Sequence, residues 1–473
     1  MRGGNVNYRR PLVRWLALSG ILTITLTGCF NSGNNTQSLG SRDGNSGPIT
    51  VKIWRAFDSE EAFSGVVSAF NDRNPNVKLE YRMIPIEEYE LTVSEALAAG
   101  NGPDIWSIRN DWVPRHKDKL VPMPEGLLAD KAGAEATTEA DKVSSAFVPV
   151  VANDVVQDGR AYGLPLSLDT LVIYRNRSIL NSTMAELEAA RKREDARFLQ
   201  GTYTTWDELQ YAAFLLTKRN GTTIERGGLA AGTSNNVSRA EDVVAAMMLQ
   251  NGTPMVAQEK TNATFQLPQT GNTGQQTYPG TEALKRYAVF ADPASDYYSW
   301  NASMPNDVQA FIDGKTAMFF GYQYHQLLFQ QTAPLLQYDT VPFPQIRDTS
   351  TPVDYASYWV EGVTKNADDP ELAWQIVKKL AFDYGTNYRQ ATGRPAPFPY
   401  SEYVSVLDRA GKTNPLSFQQ ATAQSWYKTK RPDRIDQIFR EMIQEVGTKQ
   451  TAPQNAIEAA AKRVSTQLEA DQQ

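Results

Sequence analysis

A single cysteine, Cys29, serves a chain of 473 residues. It can close no internal disulfide and, standing alone, supplies no thiolate metal cluster. Its position is informative. Arg2, Arg9, Arg10 and Arg14 form a positive leader, Trp15 to Leu26 a short apolar run, and small Gly28 stands immediately before the cysteine. That is the makeup of a secretory signal, with the processing point at residues 28 and 29. The apolar run is too short for an ordinary transmembrane helix, and no later stretch approaches the ~18 apolar residues that crossing a bilayer needs. In positions 30–47, twelve of eighteen residues are Asn, Ser or Gly, a composition that buries no core and behaves as a flexible tether with a reach of roughly 25 Å. About 425 residues follow, too many for one ordinary core and comfortable for two domains.

The run Leu26-Thr27-Gly28-Cys29 resembles the lipobox of bacterial lipoproteins. The resemblance implies cleavage before Cys29, lipidation of its thiol by a diacylglycerol, and residence at the extracytoplasmic face of a cell membrane, whether outer surface or periplasm. Two acyl chains hold a soluble domain at a surface where one binds only marginally, so the protein is expected to be anchored and not spanning. Loss of four arginines and no acid with the leader takes the formal charge from -6 to -10. An acidic exported chain with no basic run among aromatics is not built to neutralise phosphates, so nucleic acid is not an expected partner.

Catalytic and metal signatures are sparse. Only His116 and His325 occur, and His116 is followed by Lys117-Asp118-Lys119 instead of a His-Glu-x-x-His spacing, so both read as surface or hydrogen-bonded structural residues. No Gly-x-Ser-x-Gly elbow is present, and the Gly314-Lys315-Thr316 tail of an apparent phosphate loop has Gln309 where its partner glycine belongs. No cofactor and no metal are expected.

The folded part begins as α/β. Thr50 to Trp54 reads as a strand, and Asp58-x-x-Glu61 has capping-box spacing for a helix with Phe63, Val66, Val67 and Phe70 on one face. Val77, Leu79, Tyr81 and Met83 alternate as a second strand. A helix carrying Tyr89, Val93, Ala96 and Leu97 leads to a third strand from Asp104 to Ile108. This alternation predicts a largely parallel sheet. Further on, Glu186 to Arg197 reads as a solvated helix inserted after strand-like Leu171 to Tyr174. Thr205-x-x-Glu208 caps another helix, and polar 257–280 suggests a long loop near a binding face. Asp369-Pro370 opens the helix Glu371 to Phe382, and the last hundred residues read as amphipathic helices.

Several of these segments, in order, resemble the extracellular solute-binding proteins of ABC importers, specifically the large carbohydrate-binding family that includes maltose-binding protein. The runs are Gly102-Pro103-Asp104-Ile105, Tyr162-Gly163-Leu164-Pro165-Leu166-Ser167-Leu168-Asp169-Thr170, Ile173-Tyr174-Arg175-Asn176 and Thr205-Trp206-Asp207-Glu208-Leu209. Phe311-x-x-Gly314-Lys315-x-Ala317-Met318-Phe319-Phe320-Gly321 and Asp369-Pro370-Glu371-x-Ala373-Trp374 complete the series. The resemblance covers roughly residues 48–465. It implies a two-lobed α/β fold of the periplasmic-binding-protein kind, with a hinge and an interlobe cleft. By similarity one lobe takes 48–168 plus 341–364 and the other 169–340 plus 365–473, with crossings near 167–171, 340–343 and 363–365.

A sugar offers apolar C-H faces and a rim of hydroxyls, which call for aromatic platforms and side chains that hydrogen-bond in pairs. Ligands of open α/β sheets sit beyond the carboxyl ends of strands. Trp54, Arg55 and Asp58 follow the first strand, and Asn110, Asp111 and Trp112 follow the third. The resemblance adds Asp169 as a cleft residue, Asp111 as a ligand carboxylate, and Tyr322 and Tyr324 as stacking aromatics. Trp300 and Trp359 are aromatic candidates by composition and spacing, whereas Trp206 and Trp374 stand at the starts of apolar helices and read as structural. Two departures stand out. In Thr392-Gly393-Arg394-Pro395 the candidate Arg394 precedes the proline where relatives place it after, and the charged stretch 184–198 is longer than the family pattern.

The expected function is capture of a carbohydrate, sugar or oligosaccharide, by a lipid-anchored monomer that delivers it to ABC permease subunits driven by a separate ATPase. No chemistry on the solute is expected. The competing readings are a lipid-anchored glycosidase working through two carboxylates, and a lipoprotein adhesin or assembly factor.

Overall fold

The computed structural model describes residues 47–472 apart from positions 57, 134, 272, 273, 350 and 400–417. Cys29, its leader and all but the last residue of the expected tether lie outside the described residues.

The sequence patterns become two hydrophobic cores. The first is organised on a sheet in which Ile49–Arg55 runs parallel to Val77–Met83 on one side and Ile105–Arg109 on the other. Trp359–Thr364 then joins antiparallel to Ile105–Arg109, and its far side pairs antiparallel with Leu120–Val121 and Leu164–Pro165. The sheet is therefore mixed, not largely parallel, because a strand from late in the chain enters it against the grain. Phe63, Val66 and Phe70 on helix Glu60–Arg73, with Tyr89 and Val93 on Ile86–Ala98, pack on this sheet. The second core surrounds Val172–Asn176, which pairs antiparallel with Met318–Gly321 and Tyr338–Pro342. Helices Trp206–Leu216, Ala240–Gln250, Pro432–Gly447 and Pro453–Ala470 bury their apolar faces around it.

Core membership changes between Leu168 and Leu171, between Tyr355 and Ala356, and between Ala423 and Trp426. A small sheet spans these changeovers: Asp354–Ser357 pairs antiparallel with Asp169–Thr170 and parallel with Ala423–Gln424. The later crossings thus differ from the expected 340–343 and 363–365. Assignment of all of 365–473 to the second lobe is corrected too. Leu372, Trp374, Ile376 and Leu380 of helix Pro370–Phe382, and Tyr384 and Tyr388 after it, bury in the first core, against the strand Trp359–Thr364 that leads into them.

Local signals fared unevenly. Thr205 and Glu208 form the capping box read from their spacing, and Asp369 accepts from the Leu372 amide ahead of its proline-led helix. Glu186 to Arg197 is not one helix: Arg177–Ala189 ends and Arg193–Gln200 begins after Arg191 turns through φ 63°. Asp58 does not cap the first helix. Ser59 does, accepting from the Ala62 amide, while the Asp58 carboxylate turns inward to Arg55 at 2.7 Å and Arg394 at 3.0 Å.

That division of labour is testable by urea denaturation of the chain lacking its leader. Ser59→Ala should cost about 1 kcal/mol, the value of one cap. Asp58→Ala should cost about 3 to 5 kcal/mol, because it strips the partner from buried guanidinium groups. Equal losses would return the capping role to Asp58.

Candidate binding cleft

Residues from both cores line a narrow, strongly polar cleft with about 20 Å³ of free space, so the lobes must part before it can take more than a water-sized guest. The first core supplies Arg109, Asn110 and Asp111, placed where strand Ile105–Arg109 runs out into a single 3-10 turn. The second supplies Arg239, Glu241 and Asp242 at the start of helix Ala240–Gln250, and Asp436 on Pro432–Gly447. The hinge segments contribute Tyr355, Ser357, Ser425, Trp426 and Lys428.

Ion pairs cross this space. Arg109 grips Asp111 with two hydrogen bonds, of 2.5 and 2.8 Å, and its Nη2 lies 3.5 Å from Asp433 and 3.7 Å from Asp436 of the opposite lobe. The Lys428 ammonium is buried 2.7 Å from Asp436, 3.6 Å from Asp242 and 3.9 Å from Asp111. Burial alone would lower the ammonium pKa, but these carboxylates drive it well above its ordinary value. The converse holds for Asp111: burial works to raise its carboxyl, and Arg109 and Lys428 prevail to hold it below the usual carboxylate range. Arg239 donates to the Tyr324 hydroxyl at 2.6 Å with its guanidinium above the rings of Tyr322 and Tyr324, and Tyr322 donates to Asp242 at 2.9 Å. Three atoms on the lining residues are buried and have no hydrogen-bond partner among the described residues: Arg239 Nε, Glu241 Oε2 and Trp426 Nε1.

Of the residues named from sequence, Asn110 and Asp111 line this cleft, and Tyr322 and Tyr324 stand behind its wall through Asp242 and Arg239. Trp112 lies beneath Arg109, its ring 5.3 Å from the guanidinium and edge-on to half-buried Trp359 at 5.5 Å, so the two tryptophans support the charged wall. Asp169 sits in the hinge and accepts from the backbone amides of Gln323 and Tyr324, at 3.0 and 3.3 Å. Burial raises its carboxyl to about 6. Arg55, Asp58 and Arg394 belong to a separate buried network of the first lobe, shared with Glu361 and Tyr388. Trp54 packs in the same lobe's core under the Arg82 guanidinium, 4.5 Å from its ring. Trp300 is corrected outright as a stacking platform: it is 0% exposed in the second core, its indole N–H donating to Asn236, in a slot that exists because Gly227 has no side chain to fill it.

Arg109, Arg239, Asp242, Trp426, Lys428 and Asp436 were not foreseen. Arg109 could have been, since it stands directly before Asn110 at a strand end. Lys428 and Asp436 reach the site only through the last crossing, which leaves no local mark in the sequence.

The architecture is that of a two-lobed α/β binding protein, and the comparisons agree. Residues 56–383 match the family described as bacterial extracellular solute-binding protein, and the chain belongs to that family. The cyclic alpha-maltosyl-1,6-maltose binding protein of Arthrobacter globiformis superposes with a TM-score of 0.68 at 18% identity, over 90% of this chain and 100% of its own. The sugar-binding protein MalE of Xanthomonas citri gives 0.68 at 18%, over 90% and 98%. A binding protein of Brucella abortus is 20% identical over 371 residues, 78% of this chain and 77% of its own.

Replacing Lys428 with Met keeps the bulk and removes the charge. The variant should lose about 3 kcal/mol at neutral pH, because carboxylates are left buried without their cation. The deficit should be smaller at about pH 5 than at about pH 7, because burial already works to raise the Asp436 carboxyl and loss of its cation moves it further in that direction. Urea titrations of both proteins at the two pH values check this, and a pH-independent deficit contradicts the assigned role.

Proposed function

We propose that this chain captures a neutral, hydroxyl-rich solute, a sugar or oligosaccharide, in the cleft and surrenders it unchanged to the permease of an ABC importer. The observation that carries the reading is the set of unpartnered buried atoms on the lining. Two donors, Arg239 Nε and Trp426 Nε1, and one acceptor, Glu241 Oε2, belong to residues lining a space whose formal charges are otherwise paired. A hydroxyl both donates and accepts, so a polyol satisfies all three without bringing a charge that the paired lining would have to accommodate. Tyr355 and Trp426 are the aromatic residues of the lining, buried in this arrangement and available to C-H faces only if the lobes part. The sugar ligands named for structural relatives of this fold support the same class. Solute favours whichever lobe arrangement contacts it on both sides, which here means groups from both cores at once. The lipobox-like run at Cys29 and the polar stretch after it support attachment at the extracytoplasmic face, and the family supports a permease partner whose ATPase supplies the energy to a monomeric binding protein. Asp111, kept ionised by Arg109 and Lys428, is poorly set to give a proton to a glycosidic oxygen, which favours binding without turnover over hydrolysis.

The test is a thermal-shift panel of neutral sugars, beginning with maltose, maltotriose and D-tagatose, on the chain from Ser46 onward. A binder of the folded form raises the melting temperature saturably. Asp242→Ala and Asp111→Ala should abolish the shift, Trp300→Phe should leave it, and the sugar should be recovered intact. Binding only by charged solutes sinks the proposed class, and recovery of cleaved sugar favours the hydrolase.

A further inference from the structure

Asp154 lies outside the lining, yet it ties three elements of the cleft together. It projects from helix Pro149–Val155 and is half-buried. Its Oδ2 accepts from Asn110 Nδ2 at 2.9 Å and from the Tyr358 hydroxyl at 2.7 Å, while its Oδ1 accepts from the Ser425 hydroxyl at 2.5 Å. Asn110 and Ser425 are cleft-lining residues, one from the end of the third strand and the other from the last chain crossing. Tyr358 joins the hinge strand Asp354–Ser357 to Trp359–Thr364.

We propose that Asp154 is a positioning residue whose protonation reverses the hydrogen-bond polarity of Ser425 in the cleft wall, so that solute affinity depends on pH. When the carboxylate is ionised, the Ser425 hydroxyl spends its hydrogen on Oδ1 and offers the cleft only a lone pair. A proton taken from solvent onto Oδ1 is donated back to Ser425 Oγ, and the serine hydrogen is released toward the cleft. Oδ2 keeps its bonds from Asn110 and Tyr358, so the wall changes polarity without moving.

The surroundings set the working range. Loss of solvent raises the Asp154 carboxyl to about 6, against the opposing pull of its three hydrogen bonds, and Asp111 beside Asn110 adds to the rise. Asp111 is itself kept ionised by Arg109 and Lys428, and the Tyr358 phenol is pushed up by burial and by Asp154, so neither competes for the proton. The sign follows from the raised value. The neutral form is the one the fold favours, its stabilising effect is complete below the ordinary carboxylate range, and it is lost as pH rises through about 6. Carboxylate acceptors already abound in the cleft, so the released serine hydrogen is the useful addition and binding tightens in acid.

This inference rests on the cleft being the solute site, and its test separates the two ideas. Maltotriose affinity is measured by calorimetry between pH 5 and 7.5, beside a solute-free titration of tryptophan fluorescence, to which Trp426 next to Ser425 contributes. Wild type should bind about fivefold tighter at the acid end, the worth of one neutral hydrogen bond, and its solute-free signal should show a step near pH 6. In Asp154→Asn the amide oxygen must stay with Asn110 and Tyr358, which points the amide N–H at Ser425 and fixes the acid-form polarity. That variant should bind at the acid-form strength throughout and lose the step. Ser425→Ala leaves Asp154 in place and should be pH-independent at or below the neutral-pH strength. Burial also raises the carboxyls of Asp169, Asp354 and the cleft-lining Glu241 to about 6, 7 and 7 without their bonding Ser425, so a step that persists unchanged in Asp154→Asn belongs to them and overturns the proposal. Loss of the step in a protein that binds no maltotriose upholds the proton switch and removes maltotriose as the solute.

Discussion

Lys428 is the charge on which the junction of the two lobes depends. A single ammonium, buried among carboxylates from the first lobe and from two helices of the second, makes it possible for Asp111, Asp242 and Asp436 to approach one another at all. Without it, like charges in a site of low polarity would repel or take up protons. Arg109 plays the matching part from the other side, holding Asp111 bidentately while facing Asp433 and Asp436. The two cations are complementary in origin. Lys428 arrives on the last chain crossing and Arg109 at the end of the third strand, so the cations of the cleft are drawn from the segments that build both lobes, each with its shortest pair on its own side.

What could be read from sequence follows the range of the interactions concerned. Caps are local, and Thr205 with Glu208 and Asp369 before Pro370 were legible because the partners lie within four residues. Even so, Asp58 fitted the capping pattern and was drawn off by Arg394, a residue 336 positions later whose approach no spacing rule reveals. Strand ends pointed to Asn110 and Asp111, which line the cleft, since that argument needs only the direction of a strand. Aromatic candidates fared worse. A tryptophan has the same letter whether it stacks on solute or fills a core, and Trp300 and Trp54 fill cores. Trp426, which does line the cleft, sits in a segment with no regular periodicity around it.

The corrected chain crossings bear on how the lobes can move. The small sheet of Asp169–Thr170, Asp354–Ser357 and Ala423–Gln424 gathers the changeovers into one place. Gln419 donates to the Leu171 carbonyl at 2.7 Å and Thr422 to Asp354 at 2.6 Å, binding the third strand of that sheet to the other two. A hinge of several hydrogen-bonded strands resists sliding and leaves rotation about the sheet as the soft motion. Asp169, with its carboxylate on the Gln323 and Tyr324 amides, couples that sheet to the loop carrying the tyrosines behind the cleft wall.

The rim of the cleft sets how firmly the lobes stay together without solute. Arg115 of the first lobe reaches across to the Lys430 carbonyl at 2.7 Å and to the exposed Asp433 at 2.8 Å. Partly exposed pairs of this kind are worth ~0–1 kcal/mol each and weaken with salt. Deeper in, Arg109 and Lys428 find much of their compensation within their own side of the cleft, from Asp111 and Asp436 respectively, and so do not demand the opposite lobe. The interlobe attraction is then small by construction, while Arg239 Nε, Glu241 Oε2 and Trp426 Nε1 remain without partners among the described residues. Polar groups left in that condition cost ~1–3 kcal/mol each. A solute that satisfies them supplies more than the rim pairs do, and a few kcal/mol of differential contact is what shifts a two-state equilibrium decisively. The arrangement therefore makes closure answer to the solute more than to the protein's own charges.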